Sequence, residues 1–121
     1  MKALALAFMF GVFAQAPQAQ EQTAQGGSAV LRGLDKISGA VSDIEIRAGS
    51  DGRVGRLSLE VKECRYPIDN PAGDAFAWVT IRDDLQGAQP VFQGWMIASS
   101  PALSAMDHHR YDVWLIRCSN S

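Results

Sequence analysis

Serine, histidine and aspartate residues that could form a hydrolase triad lie close together in the last quarter of the sequence. Ser99 or Ser100 would be the nucleophile, His108 the base, and Asp107 or Asp112 the acid that orients it. Such catalysis requires the base within hydrogen-bond reach of the hydroxyl and a third group that orients the base. The Gly-x-Ser-x-Gly elbow is missing, and a Ser-Ser-Pro sequence is typical of a helix start. We therefore interpret both serines as helix-capping residues, assign no catalytic residue, and keep a hydrolase or cell-wall-acting enzyme as an alternative.

The Asp107-His108-His109 sequence could also ligate a metal. Adjacent side chains on an extended segment point to opposite sides, so two neighbouring histidines rarely serve one ion. Zinc takes three or four ligands, and the sequence has no phosphate loop or dinucleotide fingerprint. We expect a polar loop here, in which His108 bonds a backbone carbonyl, and no metal or other cofactor.

The first 14 residues predict a secretory signal peptide. Lys2 precedes an apolar stretch that is too short to span a bilayer, and small residues follow it. The cleavage position stays open between residues 14 and 19. Residues 15–28 are rich in Gln and Ala and predict a flexible polar tail, and residues 29–121 predict a single domain.

Cys64 and Cys118 are the two cysteines of the chain. Export places them in an oxidising compartment, where two thiols are more often paired than free. Their bond would close a loop of about 55 residues and stabilise the domain by about 4 kcal/mol in the chain-entropy model. We therefore expect a structural disulfide.

Short apolar runs separated by Gly, Asp, Asn and Pro predict an all-β fold. We expect a small antiparallel barrel or sandwich of about six or seven strands, with one short helix before the last strand. The predicted strands are residues 29–34, 40–47, 56–65, 75–82, 91–97 and 111–118, with turns at 35–39 and 48–52, loops at 66–73 and 83–90, and helical turns within 99–106.

The predicted strand at 56–65 alternates most clearly. Leu57, Leu59 and Val61 share one face, and the same parity would place Cys64 on the polar face. We expect a β-bulge near Glu63 that restores the register, or a disulfide at the edge of the sheet.

Aromatic residues could line a binding face, although in a small β domain such rings more often belong to the core. A small-ligand or glycan-binding module is therefore a further alternative. The residues concerned are Tyr66, Phe76, Trp78, Phe92, Trp95, Tyr111 and Trp114.

Charge and hydropathy exclude two classes of partner. The chain has 11 basic and 13 acidic residues and a net charge of −2, with the two signs interspersed. A nucleic-acid-binding protein would show a basic patch, so we expect no nucleic acid. No second apolar run is long enough to cross a membrane, so we expect no span in the mature form.

The segment from Val91 to Cys118 resembles the uncharacterised bacterial family DUF2155. The resemblance is carried by Phe-x-Gly-Trp-Met, Ala-Ser-Ser-Pro-Ala-Leu and Tyr-Asp-Val-Trp before Cys118, and by earlier segments at 31–36 and 63–65. It covers nearly all of residues 29–118. His108 matches the family pattern, whereas His109 stands where a proline is expected. The resemblance implies small exported proteins of alphaproteobacteria, an envelope location, paired cysteines and no established activity. Genes of the family often lie near one for an accessory subunit of respiratory complex I, which makes a membrane complex one candidate partner.

Together these observations predict a periplasmic, non-enzymatic accessory or interaction protein with an unknown envelope partner. The predicted contact region runs from Gly94 to Tyr111, where a glycine, a proline, a helical turn and aromatic rings follow one another. Its candidate surface residues are Gly94, Trp95, Met96, Ser99, Ser100, Pro101, His108 and Tyr111.

Overall fold

The computed structural model describes Gly11, residues 22–104 and residues 106–120. Apart from Gly11, the predicted signal peptide lies outside the described residues, as do residues 15–21 of the predicted tail. The described chain forms eight strands and one short 3₁₀ helix. They are β1 (Thr23–Gly26), β2 (Ser28–Asp35), β3 (Val41–Arg47), β4 (Ser50–Val54), β5 (Leu57–Pro67), β6 (Phe76–Asp83), β7 (Phe92–Ile97), the 3₁₀ helix (Pro101–Ser104) and β8 (Tyr111–Ser119).

The strands form two antiparallel sheets whose inner faces share one core. The five-stranded sheet has the order β1-β5-β6-β7, with β4 beside the first half of β5, and the three-stranded sheet has the order β3-β2-β8. In the described chain the sheets remain separate and do not close into a barrel. The predicted all-β fold is therefore confirmed as a sandwich, and the short helix before the last strand is confirmed as a 3₁₀ helix. No helix among the described residues has the length and hydropathy needed to cross a membrane.

The predicted tail at 15–28 is wrong at its C-terminal end. Residues 23–26 form β1, which pairs with the second half of β5, and Ser28 is a buried residue that begins β2. One extended segment thus serves the five-stranded sheet before Gly27 and the three-stranded sheet after it. Local propensity is low in this polar segment, so its strand conformation comes from pairing with β5.

Strand β5 contains the bulge that its sequence parity requires. The register with β6 shifts between Val61 and Glu63, which turns Cys64 back to the inner face. Leu57, Leu59, Val61 and Cys64 are all fully buried. The bulge prediction is confirmed, and the alternative of a disulfide at the sheet edge is not needed.

The predicted turn at 48–52 is wrong in its second half, because Ser50 to Gly52 belong to β4. Gly52 faces the other sheet so closely that a β-carbon there would lie 2.7 Å from Ile44 Cδ1. A similar close approach occurs at Gly33 in β2, where a β-carbon would lie 2.5 Å from Cγ1 of Val54. At both positions the absence of a side chain lets the two sheets pack together.

Candidate functional site

His108 is buried, and both nitrogens of its ring have partners. The backbone N–H groups of Arg110 and Tyr111 donate to Nδ1 at 3.0 and 3.1 Å. Since Nδ1 is the acceptor, Nε2 carries the ring's proton and donates it to Asp83 Oδ2 at 2.7 Å. The predicted polar loop is therefore wrong for His108. This residue is buried just before the start of β8, and its ring accepts hydrogen bonds from backbone N–H groups rather than bonding a carbonyl.

Asp83, at the end of β6, is the buried partner of His108. Arg56 Nε donates to its Oδ1 at 2.9 Å, and the Leu85 N–H donates to the same oxygen at 3.0 Å. The hydrogen bonds from His108, Leu85 and Arg56 hold the pKa of Asp83 well below its usual range. Asp83 lies 25 residues from His108 in the sequence, and no local sequence signal linked the two residues.

The two adjacent histidines lie side by side. The His109 ring stacks on that of His108 with centroids 4.6 Å apart and an interplanar angle of 16°. Adjacent side chains were predicted to point to opposite sides, which is wrong because this segment is a bend rather than a strand. Within residues 22–104 and 106–120, no group of three or more His, Cys, Asp or Glu side chains is placed to hold a metal ion.

Ser99 bonds an aspartate of another loop. Its hydroxyl donates to Asp74 Oδ2 at 2.7 Å, and its N–H donates to Asp74 Oδ1 at 3.0 Å. Although burial raises the pKa of Asp74, these bonds and the one from the Ala75 N–H lower it overall. The Ser100 carbonyl accepts the Leu103 N–H at 3.1 Å, at the start of the 3₁₀ helix. Ser100 thus stands at the helix start as predicted, whereas the capping prediction is wrong for Ser99, whose bonds to Asp74 fix the geometry of the loop.

The remaining candidate acids lie at the surface. Asp107 is exposed, and Asp112 Oδ1 lies 3.8 Å from Lys36 Nζ. Lys36 also donates to the His108 carbonyl at 2.6 Å. In the described chain no hydrogen bond joins His108 to either serine, because the ring nitrogens of His108 are already engaged.

Cys64 and Cys118 form a disulfide that joins the two sheets. Their Cα atoms lie 5.8 Å apart, and the bond links β5 to β8 across 54 residues of sequence. Gly26 pairs with Cys64 in the five-stranded sheet, and a β-carbon on Gly26 would lie 2.9 Å from Cβ of Cys118. The predicted disulfide is thus present. It lies next to Gly26, directly before Gly27, where the chain passes from the five-stranded to the three-stranded sheet.

The predicted contact region does not form one surface. Met96, His108 and Tyr111 are buried, with 2 to 4% of their surface exposed, so they cannot contact a partner directly. Trp95, Ser99 and Pro101 are exposed, and Gly94 and Ser100 are half-buried. Met96 and Tyr111 belong to the core cluster, where alternation along β7 and β8 turns them inward.

Phe76 and Trp78, for which a core position was the more frequent expectation, instead face outward from the five-stranded sheet together with Trp95, which was predicted at the surface. We use the name aromatic surface for Phe76 and Trp78 of β6 together with Trp95 and Ile97 of β7. Phe76 pairs with Ile97 and Trp78 with Trp95, so the four side chains share one face. The two indole rings meet edge to face, with centroids 5.6 Å apart at 80°. Trp95 is 41% exposed, and the other three are half-buried.

Polar side chains of neighbouring strands form the rim of the aromatic surface. Arg65 lies beside Phe76 in the sheet register, and its guanidinium bonds Glu63 at 3.2 and 3.4 Å and the Thr23 hydroxyl at 3.4 Å. A shallow cavity of about 300 Å³ is lined by Thr23, Arg65, Phe76 and Trp95. This is an apolar depression that has hydrogen-bonding groups on one side.

The comparison with known families matches most of the chain. The family described as "Uncharacterized protein conserved in bacteria (DUF2155)" matches residues 29–118. This chain belongs to the DUF2155 family. An uncharacterised protein of Rickettsia prowazekii (strain Madrid E) is 29% identical over 87 residues, which cover 70% of this chain and 56% of that protein. The chain therefore spans little more than half the length of this curated relative. No solved structure matches the chain.

The DUF2155 match includes the aromatic surface, the buried His108–Asp83 pair and both cysteines, whereas Thr23 and the rest of β1 precede it. The resemblance to this family, and its extent over residues 29–118, are thus confirmed.

Proposed function

We propose that this DUF2155 protein is a non-enzymatic accessory protein of the cell envelope, which acts in the periplasm by binding through its aromatic surface. The observation that carries the proposal is the exposure of Trp95 beside Trp78 and an apolar cavity. An exposed indole ring beside half-buried aromatic and apolar side chains forms a surface patch of the kind that is often functional in soluble proteins.

The contacts of the candidate catalytic residues support binding rather than catalysis. A general base needs a free nitrogen near its nucleophile, and in His108 one ring nitrogen accepts two backbone N–H groups while the other donates to Asp83. The Ser99 hydroxyl is directed to Asp74. These are the contacts of residues that hold loops in place.

Complementation separates binding from catalysis. In a strain that lacks the gene, we expect Ser99→Ala and Ser100→Ala to restore competitive fitness under detergent stress, and Trp95→Ala to fail. The matched control is Leu85→Ala, which removes a side chain that is 74% exposed elsewhere on the protein. Thermal melts of each purified variant separate lost function from lost fold. A serine variant that folds but does not complement would favour the hydrolase, and full complementation by Trp95→Ala would overturn the binding proposal.

The periplasmic location is a separate part of the proposal, which the predicted signal peptide and the disulfide support. Cell fractionation with an antibody against the protein checks it. We expect a processed band in the periplasmic fraction, with both thiols blocked to alkylation. An unprocessed, fully alkylated protein in the cytosol would contradict it.

A further inference from the structure

The size of the aromatic surface indicates a small ligand rather than a folded protein partner. Trp95 is 41% exposed, which corresponds to about 100 Å² for a tryptophan side chain of about 250 Å². Even if its three less exposed neighbours offered as much, the total would be about 400 Å². A stable protein–protein interface buries about 800 Å² on each partner, so the aromatic surface alone provides about half of what a folded partner needs.

The position of the aromatic surface also argues against an extended peptide. Recurring modes of peptide recognition use a free sheet edge or a groove between elements. Phe76 and Trp78 lie on β6, which pairs with β5 on one side and β7 on the other. At the outer edge of β7, the Ser104 hydroxyl donates to the Trp95 carbonyl and the Ser100 N–H donates to the Ile97 carbonyl. A peptide backbone laid across the face itself would therefore meet side chains, and two carbonyls at the outer edge of β7 are already engaged.

The chemistry of the rim fits a ligand rich in hydroxyl groups. The Arg65 guanidinium is paired with Glu63, so together they present donors and acceptors without net charge. Thr23 adds a hydroxyl on the same side of the cavity. Gln93 donates from Nε2 to the Thr80 hydroxyl at 3.1 Å, farther along the same face. Side chains of these types are the groups that bond sugar hydroxyls.

We infer that the aromatic surface binds an uncharged saccharide, an assignment that rests on the proposed binding function. The apolar C–H face of one sugar ring lies against Trp95 and Phe76, and its hydroxyls bond Arg65, Glu63 and Thr23. The cavity of about 300 Å³ lies at the lower end of the range for small-ligand sites, which suits one or two sugar rings. Since the Arg65–Glu63 pair has no net charge, a neutral oligosaccharide binds better than an acidic one of the same length.

Nuclear magnetic resonance of the three indole N–H groups tests this inference on the purified protein. The probes are chitotetraose carrying N-acetyl groups, cellotetraose, and an acidic tetragalacturonate. We expect the N–H signals of Trp78 and Trp95 to shift with at least one neutral probe, with a Kd on the order of 1 mM or tighter. Trp114, on β8 of the other sheet, is the internal control and should not shift.

Variants then locate the binding site. Trp95→Ala should weaken binding of the neutral probe at least tenfold, Trp95→Phe should retain part of it, and Leu85→Ala should leave it unchanged. Native melting temperatures establish that each variant is folded. The saccharide assignment is overturned if no neutral probe shifts Trp78 or Trp95, if Trp95→Ala binds as tightly as the wild type, or if tetragalacturonate or a tetrapeptide such as Ala-Phe-Phe-Ala binds more tightly than the neutral probes.

The complementation assay distinguishes a wrong ligand from a wrong function. If Trp95→Ala fails to complement and no saccharide binds, the saccharide assignment falls and binding through the aromatic surface stands. If Trp95→Ala complements fully, both fall.

Discussion

Replacement of His108 by alanine should be one of the most damaging single changes to the stability of this domain. The ring is 4% exposed, and removing a buried ring of this size costs about 3 kcal/mol through the cavity that it leaves. The N–H of Tyr111, itself buried, loses its acceptor, which costs about 1–3 kcal/mol. The sum of about 4–6 kcal/mol approaches the entire stability of many small domains.

Urea denaturation of His108→Ala measures this loss directly, with the slope compared between proteins to establish that both unfold in the same way. Each kcal/mol corresponds to about 4–8 °C in melting temperature for a domain of this size, so the expected fall exceeds about 15 °C. His109→Ala is the matched control, because the His109 ring is exposed and stacks on the ring of His108. We expect that control to change stability by less than about 0.5 kcal/mol.

Two further variants separate the hydrogen bonds of His108. Asparagine at this position keeps an acceptor near Nδ1 and loses the reach to Asp83, whereas glutamine keeps a donor near Nε2 and loses the acceptor. Each should be more stable than His108→Ala and less stable than wild type. If His108→Ala and His109→Ala unfold at the same urea concentration, the reasoning from burial and hydrogen bonding is refuted.

Three other predictions concern stability. The Arg110 hydrogen bond lowers the pKa of Asp35 from 3.8 to about 2. The ionised Asp35 carboxylate therefore stabilises the fold above about pH 4, and this contribution is lost as the pH falls through 2. The urea midpoint should drop between pH 5 and pH 2, and it should drop less steeply in Asp35→Asn. Cys64→Ser removes a tie across 54 residues and should lower the free energy of unfolding by about 4 kcal/mol, as reduction of the wild type should. If the melting temperature of Cys64→Ser equals that of the wild type, the stabilising role of the disulfide is contradicted. Gly33→Ala places a β-carbon 2.5 Å from Val54 Cγ1, and it should lower the free energy of unfolding measured in urea by about 1–3 kcal/mol. This loss should be smaller in a Val54→Ala background. If the effects of the two substitutions are fully additive, the close contact is contradicted.

The sequence predicts the strands that carry their own pattern. Alternation at Leu57, Leu59 and Val61 identifies β5, and the parity of Cys64 predicts its bulge, because side-chain direction in a strand is a local property. The sequence does not predict β1 and β4. Both are polar segments that contain glycine, and they adopt strand conformation because they pair with β5. Such pairing depends on partners that are distant in sequence.

The candidate site was predicted less well, for a related reason. Hydropathy marks His108 as a surface residue, yet Asp83, 25 residues earlier, makes its burial possible. Conversely, Phe76, Trp78 and Trp95 have the residue types of a core but share the outward parity of β6 and β7. Alternation separates the two faces of a strand without saying which one meets the other sheet.

The crossover at Gly27 and the Cys64–Cys118 bond lie next to each other, because Gly26 pairs with Cys64 and approaches Cys118. At this end of the sandwich, therefore, the two sheets are joined both by the backbone at Gly27 and by the disulfide. At the opposite end, near His108, the backbone also passes from β7 to β8, but no disulfide lies there in the described chain, and the His108–Asp83 pair and the apolar packing of Tyr111 hold the sheets together. In native-state hydrogen exchange, amides around residues 108–111 should therefore exchange at lower denaturant than those flanking Gly26.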